Sequence, residues 1–114
     1  MSPARVGAAW QHARVTFEFT APLWEWDARR TDSWVFCSLP PDVADEVLEV
    51  GEPVQRGFGS LRVEVTVGRT TWRTSVFPSS GQRTYVLPVK RAVRRAEGLD
   101  VGDEVRVHLR LLDV

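Results

Sequence analysis

"YVLPVKRAVRRAEGLDVGDEV", residues 85–105, reads as a strand end, a Leu-Pro break, a short basic helix and a tight turn into another strand. The spacing predicts a helix from about Val89 to Glu97, with Val89, Ala92, Val93 and Ala96 on one inward stripe. Gly98 stands where a left-handed residue ends a helix, and Leu99 can fold back onto it. A helix this short is unstable alone, so its apolar stripe must lie against a sheet.

The surrounding sequence supplies that sheet. Val15, Phe17 and Phe19 alternate with polar residues, as do Leu61, Val63, Val65 and Val67, and again Val105, Val107, Leu109 and Leu111. Period two over such lengths means half-buried strands with one wet and one dry face. "SWVFCSL" (33–39) is apolar on both parities and is expected to be more deeply buried. Segments 70–77 and 83–87 bring the set to about six strands. Turns are expected at 67–69, 78–81 and 100–103. A second helix is expected from about Pro41 to Glu49, with Val43, Ala44, Val47 and Leu48 inward.

The chain repeats itself. "WVFCSLPPDVADEV" (34–47) and "RTYVLPVKRAVRRA" (83–96) both read strand, Leu-Pro, short amphipathic helix, and Leu39-Pro40 and Leu87-Pro88 lie 48 residues apart. Each half then resumes an alternating strand. This predicts a pseudo-two-fold barrel of interleaved halves, closed enough to hide its edges.

Bulk properties narrow the class. At 114 residues with 43% apolar content the chain makes one domain with an adequate core. We expect an N-terminal tail over 1–12 and a single β-barrel domain over 13–114. No apolar run reaches membrane-spanning length, and residues 1–11 lack the apolar stretch of a signal peptide. The lone Cys37 precludes an intramolecular disulfide, and a soluble cytoplasmic protein is expected. Net charge is zero, but residues 1–56 carry five Lys/Arg against nine Asp/Glu, and residues 57–114 carry ten against six. A duplex-binding domain usually shows a basic surplus or a dense stripe; this chain shows polarity between halves.

Strand, Leu-Pro, basic helix and Gly-Leu-x-Val-Gly-Asp-x-Val together resemble the swapped-hairpin element of AbrB, MazE and SpoVT-type transcription factors, through Leu87, Pro88, Gly98, Leu99, Gly102, Asp103 and Val105. Those proteins build a double-split β-barrel from two subunits. Over nearly the whole chain, "FEFTAPLWEW", "WVFCSLP", "TTWRTSVFP" and residues 85–105 are similar to an uncharacterised bacterial family of domains of unknown function. Some of its members are fused to YdeI/OmpD-associated bacteriocin-protection domains. The resemblance implies a double-split barrel within one chain and brings no activity with it.

Two segments stand out as candidate binding sites. Lys90, Arg91, Arg94 and Arg95 form like-charge i,i+4 pairs that cost about 0.2–0.5 kcal/mol each in an isolated helix. They are a solvated helix face in the simplest reading, and a phosphate or acidic-partner contact in the alternative. In "PLWEWDARR" (22–30), parity counted from Phe17 and Phe19 puts Trp24 and Trp26 on the wet face. With Arg29 and Arg30 they would form a stacking platform for bases or another planar ligand. The preferred reading is a β-bulge at Ala21-Pro22 that flips the parity and buries both indoles, because Pro cannot donate to a ladder.

Chemistry-bearing residues are otherwise isolated. Ser75 lacks a nucleophile-elbow context, Cys37 lies in a buried strand, and His12 and His108 are lone, so no catalytic or metal set is expected. The sequence thus supports an all-β double-split barrel of about six strands with two short capping helices. Its expected role is a small non-enzymatic binding module, without cofactor, for an unknown ligand or protein partner. Nucleic-acid binding by analogy with AbrB-like factors is the runner-up, and an enzyme of unrecognised type the third reading. A monomer is expected, with salt-sensitive head-to-tail association between the acidic helix (Asp42, Asp45, Glu46, Glu49) and the basic one as an alternative.

Overall fold

A computed structural model describes residues 15–26, 34–79 and 84–114 of the chain. Six strands and two helices follow one another as β1 (Thr16–Trp26), β2 (Trp34–Ser38), α1 (Pro41–Gly51), β3 (Leu61–Val67), β4 (Thr70–Ser79), β5 (Thr84–Pro88), α2 (Arg91–Glu97) and β6 (Glu104–Leu111). All pairings are antiparallel, and the strands close into a barrel in the order β1-β2-β5-β4-β3-β6. Closure pairs every strand with two neighbours, though β4 meets β5 over only three rungs.

The pattern ββαβ occurs twice, and the barrel order is unchanged when the halves are exchanged. β2 and β5 show the relation directly. Their central rung joins Cys37 to Leu87, flanked by Phe36↔Pro88 and Ser38↔Val86. An offset of 50 residues converts either flanking rung into the other and leaves the central one in place. Just beyond them, Leu39 N donates to Tyr85 O at 3.0 Å and Val89 N to Val35 O at 2.9 Å, again images at the same offset. The structural repeat is therefore 50 residues, not the 48 separating the two Leu-Pro pairs. Leu39 corresponds to Val89, and Pro40 to Lys90, the residue that precedes α2.

The interior is filled from both halves. Phe17, Phe19, Ala21 and Leu23 of β1 meet Leu61, Val63, Val65 and Val67 of β3 and Val105, Val107, Leu109 and Leu111 of β6. Cys37 and Leu87 lie at the pseudo-axis, both wholly buried. Each buried aliphatic side chain contributes about 1.5–3 kcal/mol against chain entropy.

Three expectations about burial need correction. β2 is buried on one face: Val35 and Cys37 point inward, whereas Trp34 is exposed and Phe36 half-buried. The strand buried on both faces is β5, where Tyr85, Val86 and Leu87 are all covered. In α2, which starts at Arg91, Val93 is buried but Ala92 and Ala96 are exposed, because seven residues make only two turns and one contact line. α1 runs two residues past Glu49 and buries Ala44 and Val47, while Leu48 faces outward.

α2 is anchored at both ends. Gly98 adopts φ +65°, ψ +41°, and Leu99 N donates to Arg94 O at 2.9 Å, closing the helix as the sequence implied. The Glu97 carboxylate accepts hydrogen bonds from Thr70 Oγ1 (2.6 Å) and Arg69 N (3.3 Å), tying the helix end to the β3–β4 turn. Gly68 in that turn has φ +58°, and a Cβ there would collide with the Glu97 carboxylate. The turn thus needs glycine for both its conformation and its neighbour.

Candidate binding groove

β1 runs straight through Pro22. Its rungs to β6 continue from Thr16↔Arg110 to Pro22↔Glu104, and its rungs to β2 begin at Leu23↔Cys37. Pro22 stands at the last rung before the ladder passes to β2, so its missing N–H forces no inserted residue. The bulge expected at Ala21-Pro22 is absent, and parity holds: Phe17, Phe19, Ala21 and Leu23 point in, while Trp24 is half-buried and Trp26 is 55% exposed. Arg29 and Arg30, the other half of that proposed platform, lie outside the described residues, as do His12 and the tail over 1–12.

The outward face at this end of the β1–β2 hairpin carries four aromatic rings. Trp24 faces Phe36 across the hairpin and Trp26 faces Trp34. The Trp24 and Phe36 ring centroids are 5.1 Å apart, and the Phe36 and Trp34 rings stack at 6.1 Å with 14° between planes. Trp24 Nε1 donates to Ser38 Oγ at 2.8 Å, which fixes the indole. Such cross-strand pairs stiffen a hairpin by about 0.2–1 kcal/mol each. Trp34, 58% exposed, is the outermost ring on β2.

Trp34 is also one wall of a groove. Between β4, the β2 start and the β5–α2 junction lies a cavity of about 390 Å³, lined by Trp34, Val35, Trp72, Arg73, Thr74, Pro88, Val89, Lys90, Arg91 and Arg94. The groove exists because β4 pairs with β5 only through Phe77–Ser79, leaving Thr71–Thr74 without a strand partner on that side among the described residues. Trp72 is 9% exposed and forms the floor, with Val35 and Val89. The volume is within the range that holds a small molecule.

Four cations border this apolar floor, and among the described residues no carboxylate lines it. Arg73 is partly neutralised by Glu64 (3.4 Å), which also pairs with Arg110 (3.1 Å). Those two guanidiniums, Arg110 foremost, hold the Glu64 carboxyl below the usual carboxylate range despite some opposing desolvation. Arg94 Nε donates to Val89 O at 3.0 Å, which aims its guanidinium along the groove rim. Lys90, Arg91 and Arg95 make no ion pair among the described residues. Of the basic-helix candidates, the fold therefore gathers Lys90, Arg91 and Arg94 at one recess, with Arg95 exposed outside it.

The repeat sets this groove beside its pseudo-symmetric counterpart. At the 50-residue offset, Trp34 corresponds to Thr84 and Arg94 to Ala44, and both images line a second recess beside α1 together with Asp45, Leu48, Gln55, Pro78 and Tyr85. The same backbone is thus built at that place with Thr and Ala. The indole and the guanidinium at the first groove thus have no counterpart at the second.

Other candidates resolve simply. Cys37 is buried at the pseudo-axis and its thiol, desolvated, is pushed up to about 12. Burial likewise raises Tyr85 above the ordinary phenol value, against a hydrogen bond with Gln55. His108 is exposed on β6, and no group of three metal-ligating side chains occurs among the described residues. Among those residues no helix is long and apolar enough to cross a membrane. Sequence reasoning missed Trp72 as part of a site. It placed Trp72 in the strand over 70–77, and nothing local to that segment marks the split that opens beside it.

Fold and groove together define a single-chain, six-stranded antiparallel barrel of the small β-domain class with one basic, indole-lined recess. Residues 19–109 match the family described as Domain of unknown function (DUF1905), and the chain belongs to that family. No curated protein matches it.

Proposed function

We propose that the protein is a binding module whose β2–β4–α2 groove takes an anionic ligand bearing a flat apolar group. The observation that carries this reading is the coincidence, in one recess, of two indoles with Arg73, Lys90, Arg91 and Arg94 and, among the described residues, no lining carboxylate. An apolar floor with a cationic rim favours a molecule that is flat and greasy at one end and negatively charged at the other. Like charges crowded at a rim cost stability unless a counter-charge joins them. The Thr84/Ala44 comparison supports the view that Trp34 and Arg94 serve a ligand rather than the fold. Duplex binding in the manner of AbrB-type factors draws no particular support from cations that border a recess.

Tryptophan fluorescence titration with naphthyl phosphate, naphthol and inorganic phosphate tests the proposal. Naphthyl phosphate is expected to quench Trp34 and to bind at least tenfold more tightly than either fragment, about the contribution of one charged hydrogen bond. Trp34→Ala and Arg91→Ala are each expected to weaken it. Absence of saturable quenching in the millimolar range sinks the reading.

A further inference from the structure

The groove does not end at its own walls. Trp34 lines it from one side and belongs on the other to the outward aromatic row of Trp24, Phe36 and Trp26. Trp26 faces Trp34 across the hairpin, is more than half exposed, and lies outside the groove lining. One flat ring seated in the recess would leave Trp26 uncovered. One carboxylate or phosphate would likewise leave most of Lys90, Arg91 and Arg94 unanswered. Two exposed indoles, Trp34 and Trp26, side by side next to several cations match a ligand that repeats both features along its length.

We infer that the occupant of this surface is a single-stranded nucleic acid, with one base held in the Trp34–Trp72 recess, further bases along Trp34 and Trp26, and phosphates along Lys90, Arg91 and Arg94. Single strands fit because unpaired bases offer π-faces to aromatic side chains while the backbone follows a cationic border. Duplex DNA hides those faces, and A-form RNA helices hide them too. This inference rests on the groove being the ligand site and adds what the ligand is.

Length dependence separates the two ideas. Fluorescence anisotropy would be recorded for labelled oligothymidylates and oligouridylates from one to about eight nucleotides, a span bracketing small single-strand sites. Affinity is expected to rise at least tenfold from one nucleotide to about three or four, then level off. With three or four phosphate contacts, log K should fall with log salt at a slope of about −2.1 to −2.8, or about 20- to 50-fold between about 50 and 200 mM. Trp26→Ala should cost about 5-fold or more with the oligomer and nothing with the mononucleotide. Lys90→Ala and Arg91→Ala, both exposed positions, should each flatten the salt slope by about 0.7. Circular dichroism and melting would confirm that each variant is folded.

A mononucleotide that binds as tightly as the oligomers overturns the inference and leaves the groove reading standing. Preference for an acidic, tyrosine-rich peptide over every oligonucleotide overturns it in favour of a protein partner. Failure of oligonucleotides and naphthyl phosphate alike overturns both readings.

Discussion

Replacing Arg94 by Ala separates a role in binding from a role in folding, because the repeat already contains the answer for folding. The substitution removes one hydrogen bond, Arg94 Nε to Val89 O at 3.0 Å, from a half-buried side chain. A bond from a charged donor is worth about 1.5–3 kcal/mol, with the lower end applying where water can replace it. Against that loss, Lys90 and Arg91 border the same recess, and removing one of the crowded like charges returns a little of it. Alanine also has a slightly better helix propensity. The net destabilisation is about 0.5–1.5 kcal/mol, a fall in melting temperature of about 3–10 °C for a domain of this size. This modest figure agrees with Ala44 standing at the image position. Affinity for naphthyl phosphate should fall by about tenfold or more, since a charged contact is lost. Urea unfolding and the fluorescence titration on the same preparation measure both quantities. Destabilisation beyond about 3 kcal/mol would show that Arg94 is structural and that the repeat comparison misleads. Unchanged affinity in a stable variant would remove Arg94 from the ligand site.

Other expectations follow from the core and the titrating groups. Leu87→Ala empties the wholly buried centre of the pseudo-axis and should cost about 2.7–5 kcal/mol by urea unfolding, whereas a loss under about 1 kcal/mol would mean that the axis is loosely packed. Cys37, pushed up to about 12, should be silent to a thiol reagent in the native state and react as one equivalent after unfolding. Because its folded value, like that of Tyr85, is raised, the stability it contributes is complete below the ordinary thiol value. That contribution is lost as pH climbs toward about 12, so the urea midpoint should decline on the alkaline side. Glu64 has the opposite sense: its lowered value means a contribution present above the ordinary carboxylate range and lost as pH falls through the depressed value. Glu64→Gln should therefore flatten the acid limb of the stability profile, and an unaltered limb would count against the Arg110–Glu64–Arg73 cluster.

Most of the barrel was legible because its signals are local. Alternation in β1, β3 and β6 reports which face is dry without reference to any partner strand. Gly98-Leu99 marks the end of α2 because a left-handed residue is a property of one backbone position. The doubling of strand, break and helix was visible too, although its letters sit 48 apart while the hydrogen bonds repeat at 50. Leu39 and Leu87 share a Pro neighbour by composition, not by place in the barrel.

The parity of Trp24 and Trp26 shows the boundary between the two kinds of knowledge. Alternation alone put both indoles outside, and the concern about Pro22 argued for flipping them. That concern was settled by which strand β1 pairs with at that rung, a fact that lies in residues 34–38 and 104–110. Likewise, "SWVFCSL" could not show which of its apolar parities is covered, because that depends on what packs outside it.

From the sequence alone came the strands, the dry faces, the two helices, the internal doubling and the cationic segment, all set by side-chain period and by the stereochemistry of Gly and Pro. Tertiary structure alone decided that β4 meets β5 only at Phe77–Ser79, that Trp34 and Trp72 consequently face one recess, and that Arg73, Lys90, Arg91 and Arg94 share its rim. The reason is distance along the chain: a groove is a gap between strands remote in sequence, and no local pattern records where a ladder stops.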